Sequence, residues 1–197
     1  MPRRSCAVRS LTVVVAAMVI MGMTGCATVQ GWFGAGEPTP MFIVSCGADE
    51  AYTDKDGKAW LADAEMAEGV DWGAVDGMTV IRDPVEVPGT PAPNVYLTER
   101  YSMTAYEFKM KDGKYTVRLH FAETYDGILG AGERLFSVSL NGKVVLKDLD
   151  VFKEAGGPNK PLIKEFKGVA VTGGKLTIGF TANVQNPEIN GIEILAE

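Results

Sequence analysis

Tyr115-Thr116-Val117-Arg118-Leu119-His120-Phe121-Ala122-Glu123 is the stretch that decides the fold. Tyr115, Val117, Leu119 and Phe121 fall on one side of an extended chain; Thr116, Arg118 and His120 fall on the other. Successive side chains of an extended chain point to opposite faces, so this alternation is a strand with one face toward a core. Downstream, Leu135 to Asn141 repeats the pattern with Phe136, Val138 and Leu140 facing in. Asn141-Gly142 then predicts a tight hairpin, because both residues tolerate the positive φ such a turn requires. Lys143 to Lys147 returns. Leu162 to Phe166, Gly168 to Val171, Lys175 to Ala182 and Ile189 to Leu195 follow, with Gly173-Gly174 as a turn. Many short alternating strands punctuated by turns predict an all-β sandwich of two antiparallel sheets. Trp60 to Ala67 alone has a helical pattern. The domain is expected over 41–197, about 155 residues, enough for one sandwich core.

Upstream of that domain the pattern changes. Arg3, Arg4 and Arg9 precede an almost uninterrupted apolar run from Leu11 to Met23. A basic start followed by a short apolar stretch is the pattern of a secretory signal, and the run is short for a membrane span. Met23-Thr24-Gly25-Cys26 resembles the lipobox of bacterial lipoproteins, in which the Cys is acylated after cleavage. The expectation is a signal peptide over 1–25 and a lipidated Cys26. Ala27 to Pro40, rich in Gly and Pro, reads as a flexible tether, so 26–40 is linker. Acyl chains would hold the protein in a membrane through buried CH₂ groups. Ala27 after the Cys, rather than Asp, resembles outer-membrane lipoproteins.

Cysteine and charge narrow the function. Once Cys6 leaves with the signal and Cys26 is acylated, Cys46 is alone, and its strand-like context predicts an inert buried thiol. Of the 19 basic and 25 acidic residues, three Arg and no acid lie in the signal, leaving 16 against 25 and a net charge of −9. An acidic surface argues against nucleic acid as a partner and against binding to an anionic membrane surface. It is compatible with a neutral sugar.

The chain resembles malectin and malectin-like carbohydrate-binding modules over about Met41 to Glu197. The resemblance is carried by five pieces in order. Ile43-Val44-Ser45-Cys46-Gly47 with Tyr52-Thr53-Asp54, Gly57, Trp60 and Asp63 is the first. Val95-Tyr96-Leu97-Thr98-Glu99-Arg100-Tyr101 is the second. Leu119-His120-Phe121-Ala122-Glu123 with Gly132, Arg134, Phe136, Val138 and Asn141-Gly142 is the third. Lys147-Asp148-Leu149-Asp150-Val151-Phe152, then Asn186-Pro187 and Gly191-Ile192-Glu193-Ile194, complete it. The resemblance implies a jelly-roll β-sandwich that binds glucose-type oligosaccharides through loops at one end. The animal site is a cluster of aromatics with one Asp. Carried over, its places fall on Trp72, Tyr101, Tyr125, Asp126 and Gln185. Asp126 stands where the family has a second aromatic, and Gln185 where it has an acid. Beside the resemblance, rings suit the apolar C–H face of a sugar and amides or carboxylates suit its hydroxyl edges.

Other residues favour structural roles. Glu123 sits on the core parity of its strand and needs a buried partner, with Arg134 or Arg100 as the candidates. Asp54-Lys55-Asp56-Gly57 lacks the remaining ligands of a calcium loop and reads as a turn. Asp148 and Asp150 read as solvated acids at a hairpin end rather than a metal pair. His120, the only histidine, lies on the polar face, and no Gly-x-Ser-x-Gly accompanies it. No Glu-x-Asp-x-x-Glu strand pattern marks a glycosidase pair. The expectation is a non-catalytic carbohydrate-binding lipoprotein of the cell envelope with no cofactor or metal, its protein partner a glycoside hydrolase or a transporter. The alternative is an envelope structural or protein-interaction module with a degraded sugar site.

Overall fold

The computed structural model describes residues 39–197. The segment 1–25, Cys26 and the tether through residue 38 lie outside the described residues. The first strand begins at Thr39, inside the segment read as linker. In chain order the strands are β1 (Thr39–Ser45), β2 (Tyr52–Thr53), β3 (Ala59–Trp60), β4 (Trp72–Val75) and β5 (Met78–Ile81). Then come β6 (Thr98–Tyr101), β7 (Ala105–Lys109), β8 (Gly113–Phe121), β9 (Leu135–Leu140) and β10 (Lys143–Leu149). After one short helix, α1 (Val151–Ala155), the chain forms β11 (Leu162–Val171), β12 (Lys175–Val184), β13 (Glu188–Ile189) and β14 (Gly191–Ala196).

Two sheets carry the sandwich, in the orders β1-β14-β8-β11 and β10-β9-β12-β7-β4, with every strand pair antiparallel. After β7 the chain passes back and forth between them. Val117, Leu119 and Phe121 of β8 and Ile192 and Ile194 of β14 meet Phe136, Val138, Ile178 and Phe108 of the other sheet in one buried cluster. Burying each such side chain contributes about 1.5–3 kcal/mol. Cys46 is enclosed in the same cluster, and burial pushes its thiol well above the usual range. Asn141 and Gly142 form the β9–β10 hairpin at φ of 49° and 79°, the left-handed values their sequence predicts. The two runs expected around Lys167 are one strand, β11, whose register slips between Phe166 and Val169.

The sequence reading missed two features. Trp60 to Ala67 is not helical, because its backbone pairs laterally. Leu61 donates to the Ile43 carbonyl (2.7 Å), Ser45 donates to the Leu61 carbonyl (2.9 Å), and Glu65 bridges Ala74. The polar face of β8 is also partly covered, with Thr116 and His120 buried while Arg118 stays about a third exposed. His120 is 5% exposed, because Trp60 and Tyr96 cover it. The Tyr96 hydroxyl lies 2.8 Å from His120 Nδ1, and His120 Nε2 lies 2.9 Å from Glu193 Oε1. Burial of Glu193 opposes its ionisation, yet its hydrogen bond with His120 and the Lys58 ammonium hold it at about 2. This chain of contacts pins the covering loops to the sheet. Asp54 belongs to the same cover. It accepts from the backbone of Asp56 and Lys58 and from Trp60 Nε1, which makes it a turn residue. Asp150 is the N-cap of α1, accepting from Lys153 N, and also accepts from Gly132 N.

Asp63 joins these parts. Its carboxylate accepts from Gly47 N (2.7 Å), Ala64 N (2.8 Å), Tyr106 Oη (2.9 Å) and Arg100 Nε (2.7 Å). Both members of the Asp63–Arg100 pair are buried, at 4% and 3% side-chain exposure. Removing one member of a buried pair leaves the other charge uncompensated, at about 3–5 kcal/mol. Asp63→Ala is therefore expected to lower unfolding free energy in urea by that amount, and a loss under about 1 kcal/mol would contradict the role assigned to it.

Candidate functional site

β5 pairs with β6, and β6 pairs with β13, in a small third sheet of order β13-β6-β5. On β6, Glu99 and Tyr101 point to the face opposite Thr98 and Arg100, since alternate residues share a face. That face opens into a cavity of about 270 Å³. Tyr101, Tyr125, Gln185 and Asn186 line it together with Val80, Arg82, Glu99 and Arg134. Tyr125 reaches it from the loop after β8. Its ring lies against the backbone of Gly127, where a Cβ would stand 2.4 Å from Tyr125 Cε1. Gln185, following β12, holds a φ of 57°, a left-handed conformation uncommon outside glycine. The Arg82 guanidinium sits over the Tyr125 ring, 5.4 Å from its centre.

The malectin domain family model matches residues 41–192. The chain belongs to the malectin domain family. Human malectin is 28% identical over 160 residues, covering 78% of this chain and 51% of that protein. The Arabidopsis thaliana receptor-like protein kinase FERONIA is 32% identical over 169 residues, 80% of this chain and 18% of the kinase. Among solved structures, Bacteroides uniformis β-glucuronidase superposes with a TM-score of 0.71 at 25% identity, over 79% of this chain and 18% of the enzyme. A plant complex of peptide RALF23 with FER and LLG2 superposes at 0.67 and 21% identity, covering 80% of this chain and 48% of the one matched, a likeness of fold. This malectin domain thus spans about half of human malectin and less than a fifth of FERONIA.

The structure brings some of the sequence-predicted site residues of this malectin domain together and separates others. Tyr101, Tyr125 and Gln185 converge on the cavity. Asp126 lines a neighbouring depression of about 340 Å³ with Thr124, Asp83 and Asn159. Trp72 is elsewhere and is a correction to the family carry-over. It stands opposite Phe108 in the β4–β7 pairing, with the rings stacked at 5.9 Å, and it meets Phe42 at 6.0 Å. It is packing for the sheet edge. The charge cluster is also corrected. Arg134 Nε lies 2.8 Å from Glu123 Oε2 and Arg134 NH1 donates to the Asn186 carbonyl, but Arg100 belongs to Asp63 and plays no part in holding Glu123. Arg82, Glu99 and Glu188 were not legible as site residues. Arg82 ends a β-branched run closed by Pro84, a context without a binding signature.

Charge is concentrated beneath this cavity. Arg82 NH2 donates to Glu99 Oε2 (3.0 Å), and Thr124 Oγ1 donates to the same oxygen (3.2 Å). Glu188 pairs with Tyr101 in the sheet, is fully buried, and has no hydrogen-bond partner on either carboxylate oxygen. Burial pushes its carboxyl well above its ordinary 4.5; the charges of Glu99 and Glu123 add to the effect while Arg134 and Arg82 oppose it. Burial likewise raises Glu123 against the Arg134 charge. A protonated Glu188 leaves two carboxylates facing two guanidiniums.

The sign of the pH effect follows. Above 4.5 the unfolded chain releases the Glu188 proton while the folded chain keeps it, so stability falls as pH rises from 4.5 toward the folded value. Glu188→Gln removes this slope. The unfolding free energy of the wild type in urea is expected to fall more steeply than that of Glu188→Gln between about pH 5 and 8, with the two curves separating by over about 1 kcal/mol. Parallel curves would show that the buried carboxyl is not held neutral.

Proposed function

We propose that this malectin domain binds an oligosaccharide of glucose type without transforming it, at the cell envelope of a bacterium. One observation carries the reading: two tyrosines, an asparagine and a glutamine from three separate segments converge on one cavity. The rings offer faces for the C–H side of a pyranose at low entropic cost. The amides and guanidiniums offer donors and acceptors for its hydroxyls. A shallow site with two rings suits weak binding, roughly micromolar to millimolar. Family membership supports a sugar as the ligand class. Likeness to part of a β-glucuronidase supports a module that works beside a glycoside hydrolase; a transporter is the other candidate partner.

An envelope protein-interaction module is the second reading. It is favoured by Met78 and Ile81, 55% and 59% exposed on the outer strand β5, and by the fold shared with a receptor solved in complex with a peptide. For location, the lipobox-like segment ending at Cys26 supports an acyl anchor, most simply in the outer membrane.

A glycan array probed with the full chain separates the readings. Gluco-oligosaccharide binding that weakens at least about tenfold in Tyr101→Ala and in Tyr125→Ala is expected. A folded protein without a glycan hit would leave the interaction module. For the anchor, Cys26→Ser is expected to move the protein from the membrane to the soluble fraction on cell fractionation, and unchanged membrane retention would overturn lipidation at that residue.

A further inference from the structure

Arg82 is poorly satisfied for a guanidinium so placed. An arginine carries five N–H donors in a planar fork. Here one hydrogen bond is made, from NH2 to Glu99, while Nε is buried without a partner. The side chain is 22% exposed, so water supplies only part of what is missing. The guanidinium also has a fixed position. It is stacked over Tyr125, and together with Val80 it lines both the 270 Å³ cavity and the adjoining 340 Å³ depression. It forms a partition between two spaces, each large enough to admit part of a sugar chain.

We infer that the site selects an acidic saccharide, a uronate-containing oligosaccharide, and that Arg82 reads its carboxylate; the inference rests on the saccharide reading above. A neutral hydroxyl accepts from one N–H at a time. A carboxylate accepts two parallel N–H bonds from the guanidinium fork, each stronger for being charge-assisted. The ring of the same sugar stacks where Tyr101 and Tyr125 already line the cavity. Arg134 cannot substitute: its Nε also makes no hydrogen bond, but it is buried against Glu123, its NH1 and NH2 already donate to the Asn186 carbonyl and to Glu123, and its side chain is only 7% exposed. The neighbouring depression sets Asp83 and Asp126 against Arg82 alone, whereas the cavity sets Glu99 against Arg82 and Arg134, which favours the ligand's carboxylate on the cavity side. The chain's net charge of −6 opposes an anion at long range. Beyond about 8 Å that opposition is screened at physiological salt, so the contact decides.

The test compares a glucose disaccharide with the same disaccharide carrying a C6 carboxylate on one ring, by calorimetric titration of the full chain. The acid is expected to bind about tenfold more tightly, the factor one charge-assisted hydrogen bond supplies. In Arg82→Gln the ratio of the two affinities is expected to fall to about one. Equal or weaker binding of the acid by the wild type overturns the inference without any variant, as does a preference that persists in Arg82→Gln. If the neutral sugar binds and the acid shows no advantage, the saccharide reading stands and this inference alone falls. If neither disaccharide binds, both fall.

Discussion

Asp63 and Arg100 form the contact on which the organisation of this domain depends. Asp63 comes from a stretch without regular structure, Arg100 from β6, Tyr106 from β7, and Gly47 from the turn after β1. One carboxylate therefore ties four segments together. The pair is not a source of net stability by itself, since two ions must leave water to make it. Its contribution is geometric. With Arg100 drawn toward Asp63, alternation along β6 turns Glu99 and Tyr101 to the opposite face, where the cavity lies.

The cavity is then built on charge held out of water. Glu99, Glu123 and Glu188 face Arg82 and Arg134, and burial together with the two neighbouring carboxylates pushes Glu188 toward its neutral form. Glu188 pairs with Tyr101 in the sheet and Arg82 lies over the Tyr125 ring, so the cluster backs both tyrosines. It also leaves Arg82 with unspent donors at the opening. A binding module gains from this, because a preorganised rim loses little freedom when a ligand arrives.

How much of this was legible in the sequence depended on the kind of interaction. The alternation from Tyr115 to Phe121 and the Asn141-Gly142 turn identified strands correctly, because apolar period and positive φ are local properties. Trp60 to Ala67 was misread, since its backbone is paired with β1, some 18 residues earlier, and no local pattern reports that. His120 was placed on the polar face of its strand, and its burial was not legible for a similar reason: a distant loop covers that face. Position in the family pattern picked out Tyr101, Tyr125 and Gln185, which share one cavity, and also Trp72, which lies apart from it, because an aromatic at a strand edge serves packing as readily as binding. The strand parity of Glu123 says that a cation is needed without saying which one, so Arg134 and Arg100 stood open, and the structure pairs it with Arg134. Glu188 and Arg82 carried no signal, their importance arising from burial and from missing partners.

The claim that most needs a direct test is that a saccharide rests on Tyr101 and Tyr125. Titrating the isotopically labelled chain with a gluco-disaccharide while following backbone amide resonances addresses it residue by residue. The account predicts shifts confined to Val80, Arg82, Tyr101, Tyr125 and Gln185, with Trp72 unaffected. Shifts centred on Trp72, or a spectrum unchanged at millimolar sugar, would contradict it.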